Sequence, residues 1–381
     1  MFSILKTVGD IAIGASPWVP WDQHCGLRSI DGPMLRNALA GSVPDADVLT
    51  FSMVRDRATT DRARLTLEWN EAGRHAGLPT TVFAKGTPSL AASRVLNSAF
   101  GLCATEVHFY NNAYPEVADI TLRPYFASVS SGGRFLLVLE SKDAADTHFY
   151  TLDDEASLDH AEAIVDSLAK LHGRFYNSAR FNGDLSWVTR YRDRPGQRLA
   201  PKVMAFAEKR FLKKYDVPTP VARLTRFHLA NRDVFWRIWE SMPPTLCHGD
   251  THIGNTFRTA DGFSGLFDWQ EVHRMNGIRE VAYFIAWAFR PENRRRHEKH
   301  LLERYLHILA DSGVGNETPS LADAFDQYRL MMIDAWTSVW ASLALMTVEQ
   351  EGLPEELLSR QYAVLEDLDV EQALRAAART G

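Results

Sequence analysis

One stretch, residues 246–270, constrains this chain more than any other; it reads LCHGDTHIGNTFRTADGFSGLFDWQ. Its Asp261-Gly262 pair is flanked on both sides by apolar or β-branched residues, and Asp-Gly tolerates the positive φ of a tight hairpin turn. The pattern therefore predicts a β-hairpin. Since neighbouring strands lie ~5 Å apart, the hairpin would bring Asn255 and Asp268 together at its open end, where an amide oxygen and a carboxylate can share one cation.

A third polar residue stands on the loop that enters this hairpin. His248-Gly249-Asp250 precedes Asn255 in the pattern H-x-D-x-x-x-x-N. A carboxylate that orients an attacking hydroxyl, followed by an Asn and an Asp that hold Mg²⁺ on phosphates, is the layout of a kinase catalytic loop. We therefore predict Asp250 as the catalytic base and Asn255 and Asp268 as the magnesium ligands.

The same residues resemble a known family. The run 248–255 and Asp268-Trp269-Gln270 match the H-G-D-x-H-x-x-N and Asp-Trp motifs of the aminoglycoside phosphotransferase family, which includes choline kinase and ecdysteroid-kinase-like proteins; the pattern is closest to the last of these. The run 279–284 resembles the Asp-Leu-Ala-Tyr helix start of that family, with Glu280 where Asp is usual. The resemblance implies a small-molecule kinase, a transferase with an alcohol group as acceptor, that uses ATP and Mg²⁺.

The resemblance also implies a fold. We expect an α+β, two-lobed, protein-kinase-like chain, with a small N-terminal lobe built from an antiparallel sheet and one helix, and a larger, mainly helical C-terminal lobe. The 381 residues suffice for two lobes. We place an N-terminal extension at 1–46, the nucleotide-binding lobe at 47–141, and the catalytic and acceptor-binding lobe at 142–381.

Two charged residues of the first lobe are expected to hold the nucleotide. The run 79–85 is a predicted strand that ends on Lys85, much like the lysine of the third strand in kinases. Residues 89–113 have a helical pattern, and Glu106 lies in a segment that resembles the Glu-x-x-Phe-Tyr of the family. By this resemblance, Glu106 would pair with Lys85 and hold it on the α- and β-phosphates.

The loop that would cover the phosphates is unusual because residues 55–62 contain no glycine. Kinase loops are normally rich in glycine so that backbone amides can approach the phosphates. Here Thr59 and Thr60, with their backbone amides, would have to contact the phosphates. A plain hairpin loop without phosphate contacts is an equal alternative. Glu140 and Ser141 stand at the expected hinge between lobes, where backbone groups would read adenine.

The acceptor site is expected among the C-terminal helices. Residues 281–289 and 321–350 predict a buried helix and a long helix, and Ser157 is a candidate N-cap of a third. Four aromatic residues either line the acceptor site or belong to the core: Tyr283, Trp287, Trp336 and Trp340. A polycation would need several converging carboxylates. We therefore expect an apolar or neutral hydroxylated acceptor, with a choline-like cation as the rival.

Other functions remain open on the sequence. His248, Asp250 and His252 alternate, so an extended segment would point all three one way, as in a metallohydrolase site. A catalytically weak nucleotide-binding homologue with a regulatory role would explain the glycine-free loop. A protein kinase is less favoured, because Gly249 stands where those enzymes carry Arg and no Ala-Pro-Glu motif follows.

Composition limits partners and compartment. The net charge of −6 gives no indication of nucleic-acid binding, and no apolar run approaches the ~18 residues that cross a membrane. Three widely spaced cysteines fit a reducing cytoplasm. We expect a cytoplasmic monomer or homodimer whose partner is a small-molecule hydroxyl acceptor.

Overall fold

The structure, a computed structural model, describes residues 12–13, 25–41, 43–57, 60–194, 197, 200–345 and 353–380. It contains two compact units. The first comprises Met1–Asp146 with Trp269–Glu271, and the second comprises Thr147–Asp268 with Val272–Gly381. The boundaries proposed from the sequence for an extension and two lobes remain a prediction.

The first unit contains a five-stranded sheet. Its strands are β1 (Val48–Arg57), β2 (Asp61–Trp69), β3 (Thr81–Gly86), β4 (Pro124–Ser130) and β5 (Arg134–Glu140). Their spatial order is β1-β2-β3-β5-β4, and every neighbouring pair is antiparallel. Helices of the described part of this unit accompany the sheet: α1 (Gly32–Ala40), α2 (Glu71–His75), α3 (Ala91–Phe100) and α4 (Leu102–Asn112). An antiparallel sheet in the N-terminal region agrees with the predicted fold.

Burial along the strands follows their sequence pattern. From Ala63 onward, buried and exposed residues alternate in β2, and the buried ones pack with Leu35 and Leu39 of α1. Alternation of this kind marks a strand with one face on the core. β5 is buried at every position except its last, as its unbroken apolar run indicates. One core of this unit therefore lies between the sheet and α1, and β5 is covered on both of its faces.

The single helix predicted for 89–113 is two helices. Gly101 has φ +69°, the left-handed conformation that glycine adopts readily, and it separates α3 from α4. The break lies before Glu106, so the residue predicted to pair with Lys85 belongs to the second helix.

The second unit contains short strands and the predicted hairpin. The strands are β6 (Thr147–Phe149), β7 (Thr245–Cys247), β8 (Thr256–Thr259), β9 (Ser264–Leu266) and β10 (His273–Met275). β6, β8 and β9 form one antiparallel sheet, and β7 pairs with β10. The β8–β9 turn has Gly262 at φ +93°, and its N–H donates to the Thr259 carbonyl at 3.0 Å. The predicted Asp-Gly hairpin is confirmed.

Helices make up most of the second unit. They are α5 (Leu158–Arg174), α6 (Ala200–Lys214), α7 (Thr219–Ala230), α8 (Arg232–Glu240), α9 (Ile278–Ala288), α10 (Pro291–Leu309), α11 (Leu321–Leu345), α12 (Leu353–Asp367) and α13 (Val370–Thr380). The Ser157 hydroxyl caps α5, and every residue of α9 is buried, both as predicted. The predicted end of the long helix at 350 lies outside the described residues. Among the helices described, none is both long and apolar enough to cross a bilayer.

Candidate active site

A buried carboxylate anchors the loop that follows β7. The Glu280 side chain, at the start of α9, is fully buried, and its two oxygens accept the backbone N–H groups of His248 and Gly249, each at 2.7 Å. His172 of α5 contacts the same carboxylate at 3.1 Å. Burial alone would raise the pKa of Glu280, but the hydrogen bond and charge of His172 outweigh it and lower that pKa to about 2. An ionised carboxylate therefore holds the loop from inside.

Gly249 is required at the point where this loop turns. Its φ is +95°, a conformation that L side chains rarely adopt. Its carbonyl accepts a hydrogen bond of 2.8 Å from Arg279, and Arg279 also pairs with Asp334 of α11 at 2.6 Å. The turn is thus held through its N–H, by Glu280, and through its carbonyl, by Arg279.

Asp250 is held by three side chains. The Tyr283 hydroxyl donates to Oδ1 at 3.0 Å, His252 lies 3.4 Å from Oδ2, and Asn255 Nδ2 lies 3.3 Å from Oδ2. Burial would raise the pKa of Asp250, but attraction to His252 and hydrogen bonds from His252 and Tyr283 hold the pKa below its ordinary value. The carboxylate is therefore ionised and oriented, and 27% of its side chain remains exposed.

His248 connects this loop to the end of the hairpin. Its Nδ1 accepts the backbone N–H of Asp250 at 3.2 Å, and its Nε2 lies 2.9 Å from the Phe267 carbonyl. A carbonyl can only accept, so the ring proton is assigned to Nε2. Both ring nitrogens are therefore occupied by backbone groups, which leaves the metallohydrolase alternative without its first histidine ligand.

The hairpin brings the two predicted metal ligands to one end. The N–H of Phe267 donates to the Asn255 carbonyl at 3.0 Å, which continues the β8–β9 register, and Asp268 is the next residue. Asn255 donates from Nδ2 to the Asp250 carbonyl at 2.8 Å, so its amide oxygen is the atom left to face a cation. Asp268 has φ +68° and ψ +65°, a left-handed conformation that costs ~1 kcal/mol. Oxygen ligands of these two kinds suit Mg²⁺.

A second group of possible metal ligands lies beneath the loop. His172, Cys247 and Glu280 offer ligand atoms within 4.8 Å of one another, and all three are buried. Burial raises the pKa of the Cys247 thiol well above its ordinary value, so the sulfur stays protonated. Because Glu280 already accepts the two loop N–H groups, we interpret this cluster as a structural anchor.

The first unit contains the predicted ion pair. Lys85 Nζ lies 2.8 and 2.9 Å from the two carboxylate oxygens of Glu106, and both side chains are buried. The predicted pairing is therefore present. The role of the pair in binding phosphates remains a prediction.

The other nucleotide-binding candidates are less informative. β1 and β2 extend further than predicted, so only residues 58–60 connect them. Thr59 lies outside the described residues, and Thr60 is buried. Glu140 accepts a hydrogen bond of 2.6 Å from Lys142, and Ser141 is half-buried. Contacts of these residues with a nucleotide remain predictions.

Comparison with known proteins identifies the family. The sequence model of the phosphotransferase enzyme family (APH) matches residues 104–319, which is more than half of the chain. The chain belongs to this family. It is a kinase-like transferase, a small-molecule phosphotransferase.

Solved structures give the same fold at low sequence identity. Choline kinase from Cryptosporidium parvum Iowa II is 10% identical, with a TM-score of 0.53 over 91% of this chain and 96% of that one. A proposed aminoglycoside phosphotransferase from Ralstonia eutropha JMP134 is 11% identical, with a TM-score of 0.51 over 89% of this chain and 96% of that one. The search of curated proteins found no match.

The four aromatic candidates of this phosphotransferase differ in their surroundings. Tyr283 contacts Asp250, and Trp287 lies beside it on α9 with 4% of its surface exposed. Trp336 and Trp340 have no exposed surface, and Trp336 donates to Thr225 at 2.9 Å. The packing of these two tryptophans supports the core interpretation that the sequence left open, and any acceptor contact remains a prediction.

Sequence reasoning missed two residues that organise the loop of this phosphotransferase. The motif marks Glu280 only as a departure from the usual Asp, and it assigns no role to Arg279. One signal could have found them. Two adjacent charges inside the otherwise apolar run 278–289 must be paired if that helix is buried, because an unpaired buried charge is strongly unfavourable.

Trp269 is a third residue whose role the motif did not reveal. Within the first unit it stacks on Phe109 of α4, with ring centroids 3.8 Å apart and an angle of 7° between the planes. Its Nε1 donates to Thr121 at 2.8 Å. The stack fixes residues 269–271 on the helix that also carries Glu106.

Proposed function

We propose that this protein transfers the γ-phosphoryl group of ATP to a hydroxyl group of a small molecule. Asp250 acts as the catalytic base, Asn255 and Asp268 hold Mg²⁺, and Lys85, held by Glu106, positions the nucleotide. Family membership supports phosphoryl transfer, and the assignment of these residues is our proposal.

The observation that carries the proposal is the environment of Asp250. Its carboxylate is ionised, partly exposed, and held from three sides by Tyr283, His252 and Asn255. Such a group can accept a hydrogen bond from an acceptor hydroxyl and direct its oxygen at the γ-phosphorus. As the new P–O bond forms and the bond to ADP breaks, the hydroxyl proton passes to Asp250. Catalysis is then mainly positioning and electrostatic stabilisation.

The hairpin ligands fit a magnesium ion. Asn255 turns its amide oxygen away from Asp250, and Asp268 adds a carboxylate from the neighbouring strand end. When bound there, Mg²⁺ would offset charge on the phosphate oxygens. In its absence, Asn255 still orients Asp250, because its Nδ2 contacts both the main chain and the carboxylate of that residue.

For the acceptor we propose a neutral or mainly apolar hydroxylated molecule. Asp334 of α11 is neutralised by Arg279 at 2.6 Å, and Arg279 also donates to the Gly249 carbonyl of the loop. Glu280 is buried and already bonded. These two carboxylates therefore offer little to a polycation, whereas the rings of Tyr283 and Trp287 suit an apolar skeleton or a choline-like cation.

A screen tests the proposal. Alcohols, sugars, sterols, choline and kanamycin-type amines are incubated with ATP and Mg²⁺, and ADP and phosphorylated product are measured. We expect turnover with a neutral acceptor and a loss of about a hundredfold or more in Asp250→Asn. Asp261→Asn makes the same change at an exposed position of the hairpin turn and should keep full activity.

Each contrary outcome of the screen has a meaning. Full activity in Asp250→Asn would overturn the catalytic assignment. Turnover of kanamycin-type amines alone would overturn the acceptor assignment. No turnover with any acceptor, together with binding of MgATP, would favour the weak nucleotide-binding homologue.

A further inference from the structure

The buried imidazole of His160 bridges the two strands of the hairpin. The proposed mechanism does not use this side chain. His160 lies in the first turn of α5, and its side chain is fully buried. Its Nδ1 lies 2.9 Å from the Ser264 hydroxyl on β9, and its Nε2 lies 2.9 Å from the Thr256 hydroxyl on β8. The ring also stacks on Tyr150, with centroids 4.1 Å apart.

The hydrogen bonds around His160 have a defined direction. The Thr256 hydroxyl donates to the Ile253 carbonyl at 2.7 Å, so it must accept from the ring at Nε2. The ring proton is therefore on Nε2, and Nδ1 accepts from the Ser264 hydroxyl. A continuous chain of hydrogen bonds therefore runs from Ser264 of β9, through His160 of α5 and Thr256 of β8, to the short turn Ile253–Asn255. This turn ends on Asn255, the predicted metal ligand.

The neutral form of His160 is the one that this chain of bonds requires. Burial, together with the positive charge of Arg258 and the neighbouring His148, lowers the pKa of His160 to about 3. At neutral pH the ring therefore donates at one nitrogen and accepts at the other.

The hairpin needs support because its ladder is short. β8 and β9 are paired over Thr256↔Leu266, Phe257↔Gly265 and Arg258↔Ser264, and β9 is an edge strand. Three paired positions fix the register of β9 only weakly, and a slip of one residue would turn every side chain to the opposite face. The bond from Ser264 to His160 attaches the edge strand to α5, on the face of the hairpin where the same ring also reaches Thr256 of β8.

We propose that His160 is a positioning residue for phosphoryl transfer: by tying β8 and β9 to α5, it fixes the separation of the oxygen ligands of Asn255 and Asp268. The inference rests on the proposed function, since it assigns those two residues to Mg²⁺. Asn255 directly precedes Thr256, and Asp268 lies four residues after Ser264, so each hydroxyl bonded to His160 controls one ligand.

The test measures metal binding, which needs no knowledge of the acceptor. Mn²⁺ is titrated into the protein holding the ATP analogue AMP-PNP, with protein in excess, and free Mn²⁺ is followed by electron paramagnetic resonance. His160→Phe keeps a ring to stack on Tyr150 and removes both bonds. We expect Mn²⁺ to bind about tenfold more weakly. His160→Gln can still donate to Thr256, so its affinity for Mn²⁺ should lie between those of the wild type and His160→Phe.

A matched control separates positioning from general destabilisation. Tyr328→Phe also removes one buried hydrogen bond, of 3.0 Å to Glu298, between α11 and α10. Both variants should have lower thermal midpoints, and only His160→Phe should lose Mn²⁺ affinity. If His160→Phe does not fold, Ser264→Ala removes the β9 bond alone and should weaken Mn²⁺ binding several-fold.

The results distinguish two failures. Unchanged Mn²⁺ affinity in folded His160→Phe, or in Ser264→Ala, would overturn the role of His160 while leaving the proposed function intact. If the wild-type protein with AMP-PNP does not bind Mn²⁺, the metal assignment in the proposed function is wrong, and the inference about His160 is wrong with it.

Discussion

At the scale of single residues, Glu280 holds the loop that carries Asp250. It accepts two loop N–H groups and contacts His172 without any exposure to solvent. A carboxylate offers acceptors at both oxygens, which an amide cannot do. The position of Asp250 therefore depends on a residue that does not touch it.

Glu280→Gln should accordingly destabilise the second unit. The amide would place an NH₂ group against a backbone N–H and leave a buried donor unpaired, so we expect a loss of about 3 kcal/mol in the free energy of unfolding. Urea denaturation measures it. Glu292→Gln, at an exposed position of α10, is the control and should change stability little. Equal stability of both variants would contradict the anchoring role.

Tyr283→Phe should reduce turnover without affecting nucleotide binding. The variant keeps the ring and loses only the donor to Asp250, whose bond is 3.0 Å long. A hydrogen bond to a charged group contributes about 1.5 kcal/mol, which corresponds to about a tenfold fall in kcat. Steady-state kinetics with varied ATP would check this. A change in the KM for ATP alone would show that the phenol acts elsewhere.

At the scale of elements, the contact between α5 and the hairpin predicts a pH dependence. The folded pKa of His160 is about 3, against an ordinary value of 6.5, so the unfolded chain binds its proton first as the pH falls. Stability from this neutral histidine is complete above pH 6.5 and is lost toward pH 3. We expect the wild type to lose about 1.4 kcal/mol per pH unit more than His160→Phe below pH 6.

Chemical denaturation of both proteins from pH 7 to pH 4.5 would measure this difference. Other groups titrate in both chains and cancel in the comparison. Parallel curves for the two proteins would mean that His160 is not held neutral in the folded state.

The hairpin itself predicts the effect of removing Asp268. Asp268→Ala should abolish magnesium-dependent turnover while the chain remains folded. Because Asp268 has φ +68°, alanine also introduces backbone strain, so Asp268→Gly is the second variant and tolerates that conformation. Both should lack activity, and circular dichroism should show native folding. Normal turnover in either folded variant would refute the metal assignment.

At the scale of the whole molecule, the proposed functions are divided between the two units. The Lys85–Glu106 pair belongs to the first unit, and the loop with Asp250 belongs to the second. Substitutions in the two units should therefore change different kinetic constants.

Lys85→Ala should raise the KM for ATP by about tenfold or more. It also leaves Glu106 buried without this partner, which should destabilise the first unit by about 3 kcal/mol. Lys170→Ala, at an exposed position of α5, is the control and should be neutral. Calorimetry of ATP binding, under conditions in which the variant is folded, would decide whether Lys85 contacts the nucleotide. An unchanged affinity for ATP would remove Lys85 from the nucleotide site.

The sequence alone determined the features that depend on near neighbours. The hairpin follows from Asp261-Gly262 between apolar runs, and the start of α5 follows from the Ser157 cap. Turn chemistry, capping and periodic burial act over a few residues, so a linear pattern contains them. The motif around Asp250 likewise pointed to the family, which the family match confirms.

Only the tertiary structure decided which distant side chains meet. His160 and Thr256 are 96 positions apart, and His172 and Glu280 are 108 apart, yet each pair is in hydrogen-bond contact. Trp336 and Trp340 have a periodic pattern that fits either a pocket wall or a core, and packing leaves them no exposed surface. Such contacts depend on how helices and strands pack, and the residue types involved have no local preference that would reveal their partners.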